Sequence, residues 1–116
     1  MATFKDLEIW KEGIDLVVKI YNITEKFPEN EKFGLTQHIR KTSISVPSNI
    51  AEGDAKSLKD NIRFLNISFG SCNELETQLI VASRLNYCNI DQIINDLQKE
   101  RKMISGYIKY LENKMK

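Results

Sequence analysis

Apolar residues recur at steps of three and four in four separate stretches of this 116-residue chain, and no stretch alternates at a step of two. That periodicity lays apolar side chains along one face of a helix and offers no candidate strand. The first stretch runs roughly from Phe4 to Lys26. Thr3 precedes it, with Asp6 three residues on, as an N-terminal cap requires, and Pro28 stops it. The second runs from Leu35, after Gly34, to Gly53. The third opens after Ser57, which with Asp60 makes a second cap, and continues to about Asn86. The fourth follows Asn89 to the end of the chain. The connections are short, so consecutive helices should be antiparallel. The expectation is an all-α, up-down-up-down four-helix bundle forming a single domain over residues 1–116.

One segment disturbs this pattern. "SVPSNIAEG", Ser45 to Gly53, places Pro47 about a dozen residues into the second helix. An interior proline removes one backbone hydrogen bond and crowds the carbonyl four residues back, that of Ser43. Because the apolar spacing continues through Val46 and Ile50, the reading is a kink and not a break. Gly53 then suits a C-terminal position at or next to the cap.

The first helix carries two apolar stripes. Leu7, Trp10, Ile14, Val17 and Tyr21 form one, and Ile9, Leu16, Ile20, Ile23 and Phe27 form the other. A bundle seam needs one. The second stripe, Ile9 to Phe27, is therefore the candidate subunit interface.

Asn49, Glu52, Glu76 and Arg101 are polar residues assigned to the seams. Counting outward from the turns puts Glu76 level with Arg101, within about one turn of Arg40, and puts Asn49 near Gly13. A buried acid without a partner is expensive, so Arg101, with or without Arg40, should hold Glu76. Such groups either fix register, as polar seam residues do in coiled coils, or line a polar pocket.

Composition excludes several functions. The longest apolar runs are three or four residues, far below the roughly 20 of a membrane span, and "MATFKDLEIW" has no signal-peptide pattern. The expected location is cytoplasmic. Cys72 and Cys88 show no metal or redox spacing, and Cys72 falls on an apolar stripe as a core residue. Di-iron bundles need Glu-x-x-His pairs; the single histidine, His38, has Leu35 three residues before it. Glu74 and Glu76 point to different helix faces, and there is no glycine-rich phosphate loop. The expectation is a non-enzyme with no cofactor and no metal. Formal charge is only +1, but residues 99–116 carry +4 and residues 38–63 carry +2. These basic segments suit either phosphate contact or ordinary solvated helix ends.

Four motifs, "FKDLEIWKEG" (Phe4–Gly13), "FPENEKFGLTQHIRK" (Phe27–Lys41), "SISVPSNIAEGDAKS" (Ser43–Ser57) and "FLNISFGSCNELETQL" (Phe64–Leu79), are together similar to one family. The chain resembles the bacterial four-helix-bundle proteins encoded in intervening sequences of 23S rRNA genes. The accessory variability determinant of diversity-generating retroelements is a related branch. The resemblance implies a homopentamer. It also implies association with RNA or DNA, or with a protein partner such as a reverse transcriptase. Lys56 stands where the family usually carries arginine, keeping the charge without the bidentate fork. Candidate phosphate contacts are Lys99, Arg101, Lys102 and Lys109 of the fourth helix, with Arg40, Lys41, Lys56, Lys59 and Arg63 at the corner of the second and third. The alternative is a protein-interaction scaffold that binds no nucleic acid.

Overall fold

A computed structural model describes residues 2–116. It contains four helices, α1 (Glu8–Thr24), α2 (Leu35–Asp54), α3 (Leu58–Arg84) and α4 (Asp91–Lys114), and no strand among the described residues. The helices pack into a rod of 49 × 22 × 20 Å.

Each helix begins where local chemistry dictates. Thr3 and Asp6 cap each other's end as expected: Asp6 accepts from the Thr3 N–H (2.9 Å), and Thr3 Oγ1 accepts from the Lys5 N–H (3.2 Å). They cap a separate 3-10 turn, Phe4–Asp6, and not the helix itself. Leu7 is extended between the two, so α1 starts at Glu8. Ser57 Oγ accepts from the Asp60 N–H (3.3 Å) and starts α3. Asn89 Oδ1 accepts from the Asp91 N–H (2.9 Å) just ahead of α4. At the end of α3, Asn86 takes the left-handed backbone (φ 63°), and the Tyr87 N–H donates to the Ala82 carbonyl. Asparagine tolerates that conformation better than most residues.

Facing residue pairs give the relative directions. Gly13 lies against Pro47, and Tyr21 and Thr24 meet Arg40, so α1 and α2 are antiparallel. Ser45 meets Ser71, and Gly53 lies beside Asn61 and Phe64, so α2 and α3 are too. Glu12 meets Lys99 and Lys19 meets Asp96, closing α4 back onto α1. The α1–α2 and α3–α4 connections share one end of the rod, where Tyr87 Oη donates to Glu31 Oε2 (2.9 Å) and the Tyr87 and Phe27 rings lie 5.4 Å apart.

The core is a column of Ile9, Leu16, Ile20, Ile39, Val46, Ile50, Leu65, Leu75, Leu79, Leu97 and Ile104, with Cys72 among them. α2 runs through Pro47 as one unbroken helix, as the apolar spacing on either side demands.

Gly53 differs from its expected role. It has no positive φ, and α2 continues past it to Asp54. A Cβ there would lie 2.8 Å from Phe64 Cβ and 2.9 Å from Asn61 Oδ1. Gly53 therefore permits close approach of α3 and is not a left-handed cap.

The second stripe of α1 faces the core, and Leu7 and Trp10 of the first stripe also pack against it. Ile9, Leu16, Ile20 and Phe27 are buried in the core of the single chain, and Ile23 packs against it. Those residues cannot form an outer contact surface. The outward residues are Ile14, Val18 and Tyr21, with Val18 55% exposed. Gly13 marks the inward side: it sits on the line of Ile9, Leu16 and Ile20, where a neighbouring helix comes closest.

Candidate functional site

The interior seams are more polar than their sequence suggested. Between α2 and α3 the contact is lined by serines. Ser45 and Ser71 share a hydrogen bond of 2.7 Å, and buried Ser68 donates to the Val46 carbonyl at 2.8 Å. Ser43, also buried, donates to the Arg40 carbonyl at 2.7 Å. Small hydroxyl residues let two backbones approach and still satisfy their own polar atoms. Sequence reading offered Ser43 and Ser45 as partners for the backbone groups freed by Pro47; buried serine is uncommon enough that Ser68 and Ser71 were left unassigned.

Asn49 does not reach across to Gly13. Its amide donates to the Ser45 carbonyl (2.8 Å) and Ser45 Oγ (3.0 Å), one turn back along its own helix. Glu52 also leaves the seam: its side chain is exposed and lies 3.8 Å from Lys56, an i,i+4 surface pair. Glu76 and Arg101 do meet, with Nη2 2.7 Å from Oε1, both side chains mostly shielded from solvent. The contact is an ion pair by distance, without a well-aligned hydrogen bond. Arg40 takes no part in it. Its Nε donates to Thr24 Oγ1 (2.8 Å), its Nη2 donates to the Tyr21 carbonyl (3.4 Å), and the guanidinium covers the Tyr21 ring at 4.5 Å.

The residue that fills the space beside Gly13 is Glu100. A Cβ on Gly13 would lie 3.1 Å from Glu100 Oε2 and 3.2 Å from Pro47 Cβ. Glu100 is fully buried, and neither carboxyl oxygen has a hydrogen-bond partner among the described residues. Burial pushes its carboxyl up to about 8; Glu12 adds repulsion, and Lys99 draws it back only in part. At neutral pH it is mainly a neutral acid. Sequence reading missed it by taking Arg101, four residues after Leu97, as the polar seam residue in place of Glu100, three residues after it. The signal was there: Ile93, Leu97, Glu100, Ile104 and Leu111 fall on one three-and-four ladder.

The nine basic candidates divide by partner. Lys99 is paired with Glu12 (3.5 Å), Arg101 with Glu76, Lys56 with Glu52, and Arg63 with Asp60 (3.6 Å). Arg40 is committed to α1. Lys41, Lys59, Lys102 and Lys109 are exposed and face no carboxylate within ion-pair distance among the described residues. Lys99, Arg101 and Lys102 border a shallow surface groove of about 790 Å³ with Phe69 and Met103. Lys102 and Lys109, two turns apart, share one outer face of α4.

Several large apolar residues remain exposed, Phe33 and Ile67 among them, and two groups of them cluster along single helices. On α1, Ile14, Val18 and Tyr21 are exposed, and the register set by Gly13–Pro47 and Tyr21–Arg40 brings exposed Ile44 of α2 level with Leu16 and Val17, one turn or less from Val18. On α3, Ile80, Val81 and Leu85 are exposed near the Tyr87 end. Among the described residues no helix is long and apolar enough to cross a membrane. His38 is exposed on α2.

Comparison with known proteins places this bundle. No curated protein matches the chain. A crystal structure of a protein of unknown function from Bacteroides thetaiotaomicron, assigned to the S23 ribosomal protein family, is similar. It superimposes with a TM-score of 0.79 at 27% identity, covering 87% of this chain and 95% of that one. The family model for "23S rRNA-intervening sequence protein" matches residues 5–106. That span takes in nearly all of the four helices, and the chain belongs to the 23S rRNA-intervening sequence protein family.

Proposed function

We propose that the protein is a non-enzymatic, homopentameric bundle that associates with RNA or with a nucleic-acid-handling partner. The observation that carries the assembly is the pair of separate apolar patches, one on the α1–α2 face and one on α3. A ring needs a heterologous contact, in which one surface of each subunit meets a different surface of the next. Two unlike apolar patches on one small bundle are what such a contact uses, whereas a twofold dimer needs only one. The interface residues on this reading are Ile14, Val18, Tyr21 and Ile44, in place of the buried stripe Ile9 to Phe27.

Nucleic-acid association rests on the family and on Lys41, Lys59, Lys102 and Lys109, which have no carboxylate partner among the described residues. Lysines contact phosphate as point charges, so binding would be insensitive to base sequence, and a ring multiplies each weak contact fivefold. The scaffold alternative, with no direct nucleic-acid binding, has its own support. Four of the nine basic candidates are already paired with carboxylates, and the formal charge is only +1.

Native mass spectrometry tests the assembly: a fivefold mass is expected, and Val18→Glu should yield monomers. A monomeric wild type would overturn the ring. Titration with single-stranded RNA at several salt concentrations tests the rest. Binding that falls steeply with salt, and less steeply for the Lys102→Glu, Lys109→Glu double variant, is the expected result. No binding at low salt by an intact pentamer would leave the scaffold reading.

A further inference from the structure

Among the described residues, Glu100 is the one whose two side-chain oxygens are both buried and both without a donor. Its surroundings explain why an ionised carboxylate has no support there. Behind it, α1 presents Gly13, which has no side chain. On α2 the neighbour is Pro47, which has no N–H to donate, and none of the other buried residues of that helix carries an ionisable group. The buried ionisable group on α3 is the Cys72 thiol, itself pushed up to about 12 by burial, with Glu100 adding to the shift. The two neighbouring cations are taken: Lys99 lies 3.5 Å from Glu12, and Arg101 lies 2.7 Å from Glu76. The remaining nearby charge, Glu12 of α1, repels an anion at Glu100.

We propose that Glu100 is a proton-operated latch on the seam between α1 and α4. It is a neutral carboxylic acid while the two helices are packed and a carboxylate once the seam opens, so that opening releases one proton. The rest of that seam is apolar packing from Leu16 and Leu97 with two ion pairs at its rim, Lys19–Asp96 (3.0 Å) and Lys99–Glu12. A single buried carboxyl therefore couples bundle closure to pH. The inference is independent of the assembly and of nucleic acid.

The direction of the dependence follows from proton uptake. In the open chain the carboxyl titrates near 4.5, and in the closed bundle near 8. Between those values the closed state holds one proton more than the open state. Closure is then most favourable below pH 4.5, weakens as pH rises through the window, and levels off above about 8. The slope is about tenfold in the closing equilibrium for each pH unit.

Urea unfolding of the full chain and of Glu100→Gln, at one protomer concentration and at pH 5, 6 and 7, tests this. The amide keeps the shape and cannot titrate. The ratio of wild-type to variant folding constants should fall about tenfold per pH unit, about 100-fold over the range. A ratio that stays constant would overturn the proposal. Should Glu100→Gln fail to fold, infrared spectroscopy of the folded wild type at pH 7 decides. The carbonyl band of a buried protonated carboxylic acid, shifted by isotopic labelling of glutamate, is expected. Its absence would overturn the latch.

Discussion

Gly13 and Glu100 occupy one space: the point where a Cβ on Gly13 would project lies 3.1 Å from Glu100 Oε2, with Pro47 Cβ at 3.2 Å and Pro47 Cα at 3.4 Å. Three helices thus meet at a site where α1 has no side chain. The Pro47 atoms belong to a rigid ring and its backbone, so they cannot swing aside.

Gly13→Ala sets two effects against each other. Alanine favours a helix by about 1 kcal/mol over glycine, and overpacking a filled site costs about 1–3 kcal/mol. We expect overpacking to win, with a net loss of about 1 kcal/mol and a Tm lower by about 4 °C. Gly106→Ala is the control: nothing lies within 4 Å of its added Cβ, and it should gain about 0.5–1 kcal/mol. Thermal unfolding of both variants checks the pair, and equal shifts would refute the crowding at Gly13.

Gly53→Ala should be the more damaging of the glycine changes. Its Cβ would lie 2.8 Å from Phe64 Cβ and 3.2 Å from the Asn61 carbonyl oxygen, so α3 must move. A loss of about 2–3 kcal/mol is expected in chemical denaturation. A neutral result would mean that α2 and α3 are not tightly apposed at that end.

The Glu76–Arg101 pair invites a double-mutant cycle with Glu76→Gln and Arg101→Gln. Both side chains are partly shielded, and the contact is 2.7 Å. The coupling should be about 1 kcal/mol, at the upper end for surface pairs. A coupling of zero would assign the register of α3 against α4 to Leu75, Leu79, Leu97 and Ile104 alone.

The two thiols should separate by reactivity. Cys72 is buried, its thiol pushed up to about 12, while half-buried Cys88 is raised less far by burial alone. Since the thiolate is the nucleophile, a disulfide-exchange reagent at pH 8 should modify one cysteine per native chain, Cys88, and reach Cys72 only at the rate of unfolding. Rapid modification of both would contradict the packing around Cys72.

Much of the fold was legible because caps and breakers are local. Gly34 and Leu35, Ser57 with Asp60, and Asn89 mark helix starts by chemistry within four residues. The Glu76–Arg101 contact was legible because antiparallel counting from one short turn fixes heights. Other features depend on what faces a residue across the bundle. Two equally apolar stripes on α1 give the same periodicity, and only Gly13, placed between Ile9 and Leu16, distinguishes inside from outside. Glu100 reads as surface by residue type, although its ladder position beside Leu97 and Ile104 is a core position. The buried serines Ser43, Ser68 and Ser71 give no periodic signal, because hydroxyl residues serve equally on wet faces.

The serine-lined contact of α2 with α3 has a consequence for the order in which the molecule comes apart. There the two backbones lie close, joined by the Ser45–Ser71 and Ser68–Val46 bonds and by a turn of three residues, Ala55 to Ser57. Such a hairpin forms with little loop entropy to overcome. α1 and α4 come from opposite ends of the sequence, and their seam holds an acid that favours opening as pH rises. Amide protons of α2 and α3 should therefore be the slowest to exchange, and those of α1 and α4 should exchange together as a less stable unit.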